Sequence, residues 1–308
     1  MEIKSSALLF PGQGSQKIGM GKDLCDNFAV AKDVFERVDE TLHYKLSDLI
    51  FAGDENDLNL TNHAQPAIMA VSMAYFAVMK QTGLIDLANV KFMAGHSLGE
   101  YSALCAAGAL SLEDTAKLLK LRGEYMMQAC LEQKGVMSAI IGLDLAQVDQ
   151  IAAVNNCYVG NSNAPAQIVI SGGEKEVAAA NAEAIKSGAK RAITLAVSGA
   201  FHSPLMQSAA DKMEQALQEA KITLPEVKVI SNMTAQPYDS INEIKELLKE
   251  QITHTVKWQE SINYIAENNA ESFVEVGFGN VLTGLVKKIR PQAEIKTASE
   301  IIKNPEEL

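Results

Sequence analysis

Short apolar runs recur along the chain, separated by longer amphipathic stretches. The runs "SALLF" (6–10), "VKFMA" (90–94), "MSAIIGL" (137–143), "QIVIS" (167–171), "RAITLAV" (191–197), "VKVIS" (227–231) and "SFVEV" (272–276) are short and rich in branched residues, and predict buried strands. "QPAIMAVSMAYFAVMKQTG" is apolar on nearly every face, so it predicts a central buried helix. "SLEDTAKLLKLRGEYMMQA" opens on a serine with Glu113 early, the usual entry of a helix. "INEIKELLKEQI" and "WQESINYIAENN" have the one-sided pattern of surface helices.

Strand and helix alternate at both ends of the chain, which predicts an α/β protein with a mostly parallel sheet. The middle differs in texture. From about 130 to 198 the elements are short and read strand, helix, strand, helix, strand. That segment is small enough for an inserted lobe, and a continuation of the same sheet is the alternative. The tail "KNPEEL" is expected to fray.

Composition narrows the classes. A chain of 308 residues with 47% hydrophobic positions can bury one large domain or two moderate ones. A net charge of -11 disfavours nonspecific nucleic-acid binding. Cys25, Cys105, Cys130 and Cys157 lie far apart with no CxxC pair, so neither a disulfide framework nor a thiolate metal site is expected. The N-terminal stretch lacks a signal peptide's apolar core, and no run reaches membrane-spanning length. A cytoplasmic protein away from membranes follows as the expectation. No heptad or long exposed apolar stripe asks for assembly, so a monomer is expected.

Gly95-His96-Ser97-Leu98-Gly99 fits G-x-S-x-G, preceded by an apolar run and followed by helical sequence. Strand, sharp turn and helix are the setting in which this pattern raises a serine hydroxyl above a helix N-terminus. A plain strand-to-helix turn is the competing reading. The hydroxyl needs a base. Of the five histidines, His96 adjoins the serine and is better placed to shape the turn. His43 and His63 fall in loop-like sequence, and His254 follows a helical segment toward solvent. His202, in "SGAFHSPLM" after an apolar run, is well placed to face a site. Chain order offers Asp144 and Asp149 as an acid partner, neither in a persuasive setting; a dyad with a main-chain carbonyl removes the need.

Two further signals are open. "FPGQGSQKIGMG" (10–21) is a glycine-rich loop that meets neither the dinucleotide nor the Walker pattern. Gln13 could offer its main-chain N–H to an oxyanion, or the loop could have no role. Arg122 lies in an apolar helix. It is a surface or salt-bridged residue, or, facing the serine, a two-pronged grip for a carboxylate.

Together these segments resemble the malonyl-CoA:acyl-carrier-protein transacylases and the related acyltransferase domains of polyketide synthases. The resemblance rests on "FPGQGSQKIGMG", "QPAIMAVS" (65–72), "GHSLGE", "LRGEYM" (121–126), "NAPAQIVISG" (163–172), "GAFHSPLM" (199–206) and "EVGFGNVLTGLVKKI" (275–289), in family order over nearly the whole chain. It implies an α/β-hydrolase-like core of residues 1–129 and 199–308, with a ferredoxin-like lobe inserted at 130–198. It implies Ser97 as nucleophile, His202 as base, and Gln251 holding His202 through its main-chain carbonyl. Main-chain N–H groups of Gln13 and Leu98 would form the oxyanion hole. Arg122 would clamp a malonyl carboxylate, with Met126, Phe201 and His96 around the substrate. Malonyl-CoA and a phosphopantetheinylated acyl carrier protein would be the partners, with no metal or other cofactor. An acidic carrier would need a basic patch, for which Lys287, Lys288 and Arg290 are candidates; favourable charges at a helix C-terminus are the alternative. Where the family often has a proline and a basic residue, this chain has Phe278 and Asn280, and Met127 stands in place of a glutamine. A serine thioesterase, a standalone polyketide acyltransferase and a non-enzymatic binding protein are the rival readings.

Overall fold

The computed structural model describes residues 6–270 and 272–303. Apart from Lys303, the tail expected to fray lies outside the described residues.

Among the described residues nine strands form two sheets. β1 (Ser6–Phe10), β2 (Val90–Gly95), β7 (Lys228–Ile230), β8 (Ser272–Glu275) and β9 (Glu294–Thr297) build a parallel sheet in the order β7-β2-β1-β8-β9. Every residue of β1 is buried, as the centre of a sheet covered on both faces requires. The helix Thr61–Gln81 is buried along most of its length and packs against the helix Leu112–Glu132. The latter is capped by Ser111, whose hydroxyl accepts from the N–H of Asp114.

β3 (Val136–Ile141), β4 (Tyr158–Ala164), β5 (Gln167–Gly172) and β6 (Arg191–Thr194) form the second sheet, antiparallel, in the order β4-β5-β3-β6. With the helices Leu145–Val154 and Glu174–Lys186 the chain runs β-α-β-β-α-β, which is ferredoxin-like. The fold is therefore α/β, a parallel sheet joined to a small antiparallel one. β4 is tied to Val256, in the loop before the helix Trp258–Glu267, where the N–H of Ser162 donates to Val256 O and the N–H of Val256 to Gly160 O, both at 2.9 Å.

Three local expectations need correction. β4 was not anticipated, because "YVGNSNA" is polar; its Asn161 and Asn163 face the cleft between the sheets instead of a core. β6 ends at Thr194 instead of 197, since Leu195 and Val197 turn into the same cleft. His63 lies in the first turn of the helix Thr61–Gln81, not in a loop.

Candidate active site

The glycines of "GHSLG" are required by packing. A Cβ on Gly95 would come within 1.9 Å of Gly99, and one on Gly99 within 2.2 Å of Phe10 O. The turn between β2 and the helix Gly99–Ala106 is that tight, and it holds Ser97 at φ 52°. A non-glycine residue there costs ~1 kcal/mol or more, so neighbours must hold it. Asn232 does so: its Oδ1 accepts the Ser97 N–H at 2.7 Å while its Nδ2 donates to Gly95 O at 2.7 Å. His202 is also left-handed, at φ 57°.

The Ser97 hydroxyl and His202 Nε2 stand 2.9 Å apart. On the far side of the ring, Nδ1 lies 2.7 Å from the main-chain carbonyl of Gln251. A carbonyl only accepts, so Nδ1 carries the proton and Nε2 presents a lone pair to the serine. Burial, then the charge of Arg122, pushes the His202 imidazole down to about 3, so it is neutral at ordinary pH. Among the described residues no carboxylate completes a triad. Asp144 caps the helix Leu145–Val154, accepting from the Gln147 N–H, and Asp149 is exposed on that helix.

Arg122 is not a surface residue, and among the described residues it has no salt-bridge partner. It is 1% exposed and reaches the serine from the helix Leu112–Glu132. Gly123 makes that approach possible, because a Cβ there would meet Asn62 Cα at 2.4 Å. Its guanidinium donates to Gln65 Oε1 and Gln251 Oε1, each at 2.8 Å, and to Ser97 Oγ at 3.1 Å. Its Nε has no hydrogen-bond partner among the described residues. A buried cation is thus held by neutral acceptors beside the hydroxyl, with two of its five N–H donors, at Nε and Nη1, to spare.

Ser97, His202 and Arg122 open on a cleft of about 200 Å3 lined also by Gln13, His96, Met126 and Phe201. The main-chain N–H groups of Gln13 and Leu98 donate to no acceptor among the described residues. Phe201 is fixed from the small sheet, where the Ser171 hydroxyl donates to its carbonyl at 2.6 Å. His96 packs 5.5 Å from the Trp258 ring, and its Nε2 lies 2.8 Å from Asn163 Oδ1. Burial lowers its pKa, so it too is neutral.

Comparison with known proteins places this arrangement. The family model described as acyl transferase domain matches residues 7–303. The malonyl CoA-acyl carrier protein transacylase of Bacillus subtilis (strain 168) is 45% identical over 299 residues, 96% of this chain and 93% of that protein. The chain belongs to the acyl transferase family. Among solved structures, this acyl transferase is similar to an acyl-carrier-protein-S-malonyltransferase from Bartonella henselae, with 48% identity, a TM-score of 0.94, and coverage of 97% and 98% of the two chains. It is also similar to a malonyl-transacylase solved in complex with a type II PKS acyl-carrier protein, with 36% identity, a TM-score of 0.94, and coverage of 99% and 100%.

Sequence reasoning missed three groups that shape the site: Gln65, Asn232 and Glu100. Gln65 and Glu100 lie inside the motifs "QPAIMAVS" and "GHSLGE", whereas Asn232, 135 residues from Ser97, carries no local signal. The basic cluster is less uniform than its sequence suggests. Arg290 is paired with Glu267 at 2.5 Å, and Lys288 donates to Gln167 Oε1 at 2.6 Å. All three residues lie at the C-terminal end of the helix Val281–Ile289, whose first residues line the cleft. Among the described residues no helix is long and apolar enough to cross a membrane.

Proposed function

We propose that this acyl transferase carries a malonyl group from malonyl-CoA to the phosphopantetheine thiol of acyl carrier protein, through an ester on Ser97. The observation that carries this reading is the hydroxyl of Ser97, hydrogen-bonded at once to a neutral imidazole and to a buried guanidinium in one cleft. His202 Nε2 takes the Ser97 proton as Oγ attacks the thioester carbonyl. The oxyanion rests against the N–H groups of Gln13 and Leu98, the latter at the start of a helix. Collapse expels the coenzyme A thiolate, which leaves with the proton from His202. The carrier thiol then gives its proton to His202 and attacks the ester, and Ser97 leaves reprotonated. Atoms and electrons balance between two thiols and one acyl group, so the exchange requires no cofactor beyond its substrates.

The oxygen-binding groups alone would accept any acyl thioester. Arg122 supplies the selection: an acyl group ending in a carboxylate can pair with the guanidinium, and one without it leaves a buried cation unmatched. Phe201 adds bulk that disfavours branched acyl groups, and Met126 and His96 line the same space. Lys287 and Lys288 are the docking candidates for an acidic carrier, since Arg290 is engaged by Glu267.

The test is a transfer assay with malonyl-CoA and purified holo carrier. The expected product is malonyl carrier, read by its mass, with little free malonate. Release of malonate to water at the rate of coenzyme A loss would indicate a thioesterase instead. In the same assay Arg122→Ala is expected to lower the malonyl/acetyl ratio of kcat/KM by about 100-fold. An unchanged ratio would remove Arg122 as the clamp.

A further inference from the structure

Behind the serine lies a buried carboxylate that the reaction above does not use. Glu100 follows the G-x-S-x-G turn and is 1% exposed in the first turn of the helix Gly99–Ala106. Among the described residues it makes no ion pair; the groups it meets are all neutral donors. One oxygen accepts from the Tyr238 hydroxyl. The other accepts from the Gln251 side-chain amide at 2.6 Å and from the Asn232 N–H at 3.2 Å. An isolated buried carboxylate is costly to keep, and burial pushes its pKa up to about 7.

We infer that Glu100 is a positioning residue, acting through the Gln251 side chain to aim the Arg122 guanidinium at the acyl carboxylate. The inference rests on the clamp reading of Arg122. The Gln251 side-chain nitrogen lies 2.6 Å from Glu100 Oε2 and 3.0 Å from Ser97 O. Both are acceptors, so the amide can face only one way. Its oxygen is thereby turned to Arg122, 2.8 Å away, while Gln65 takes the other terminal nitrogen. Reversing the amide would set its oxygen against two oxygens and its NH2 against the guanidinium. Two glutamines thus hold Arg122 in place without neutralising it. A carboxylate in direct contact would hold it equally well but would compete with the substrate's own. Glu100, one amide away, orders the arginine and leaves its charge for the ligand. The main-chain carbonyl of Gln251 meanwhile orients His202, so one residue sets the clamp by its side chain and the base by its backbone.

The experiment compares kcat/KM for malonyl-CoA and acetyl-CoA in the acylation of Ser97, for the wild type, Glu100→Gln, Gln251→Met, the double variant and Arg122→Ala. Gln at 100 removes the charge and lets the neighbouring amide turn; Met at 251 removes the relay but keeps the carbonyl for His202. Each single variant is expected to lower the malonyl/acetyl ratio by about tenfold, mostly through malonyl-CoA. The double variant should fall no further than either single one, since both break the same link. Should Glu100→Gln fail to fold, Gln251→Met decides the matter. Equal losses for the two thioesters, or an unchanged ratio, overturn the inference while Arg122→Ala still collapses the ratio. If Arg122→Ala itself leaves the ratio unchanged, the clamp reading fails and takes this inference with it.

Discussion

A Ser97→Ala variant is expected to lose malonyl transfer by roughly 10^5- to 10^6-fold, the loss seen when the nucleophile of a comparable serine site is removed. The methyl group fits the same turn, because the turn depends on the flanking glycines and on Asn232 rather than on the hydroxyl. The fold and the binding of malonyl-CoA should therefore survive while the covalent step disappears. Rapid quenching of the wild type with malonyl-CoA should leave a malonyl mass increment on the peptide containing Ser97, and the variant should show none. A wild type that turns over without that increment would rule out the ester and require direct transfer between the two thiols.

The sharp turn at Ser97 was legible because its sterics are local. Two glycines must flank a residue of positive φ, and both stand within four residues of each other after an apolar strand. His202 was legible by a weaker signal, its place in a loop after a strand. Arg122 could not be assigned from the helix alone, since its surroundings are set by Gly123 and the start of the helix Thr61–Gln81. Asn232 was out of reach for the same reason: it acts on Ser97 across the parallel sheet, from the loop after β7. β4 was missed because its side chains serve the cleft, so strand pairing there is not accompanied by hydrophobic alternation. The overall α/β alternation and the polar motifs carry the fold and the reaction class; the hydrogen bonds that tune them join residues distant in sequence.

Replacing His202 by alanine is expected to lower kcat/KM for transfer by roughly 10^3- to 10^4-fold, with smaller effects on thioester binding. The pH dependence is the sharper test. A free imidazole titrates near 6.5 and would lose most of its base form by about pH 5. Burial and the neighbouring Arg122 charge depress His202 to about 3, so its lone pair is retained well below neutrality. The profile of kcat/KM, which reports the free enzyme, should thus stay flat from pH 7 to about pH 5 wherever the protein remains folded. The same shift sets a stability limit. A depressed histidine pKa contributes stability above about 6.5 that is lost progressively as the pH falls toward the folded value. A bound malonyl carboxylate offsets the charge of Arg122, which is the second cause of the depression. The acid limb of kcat, governed by the bound complex, should therefore lie at higher pH than that of kcat/KM for malonyl-CoA, and not for acetyl-CoA. Coincident limbs for both thioesters would mean that His202 does not sense the charge on Arg122, despite their shared contact with the Ser97 hydroxyl.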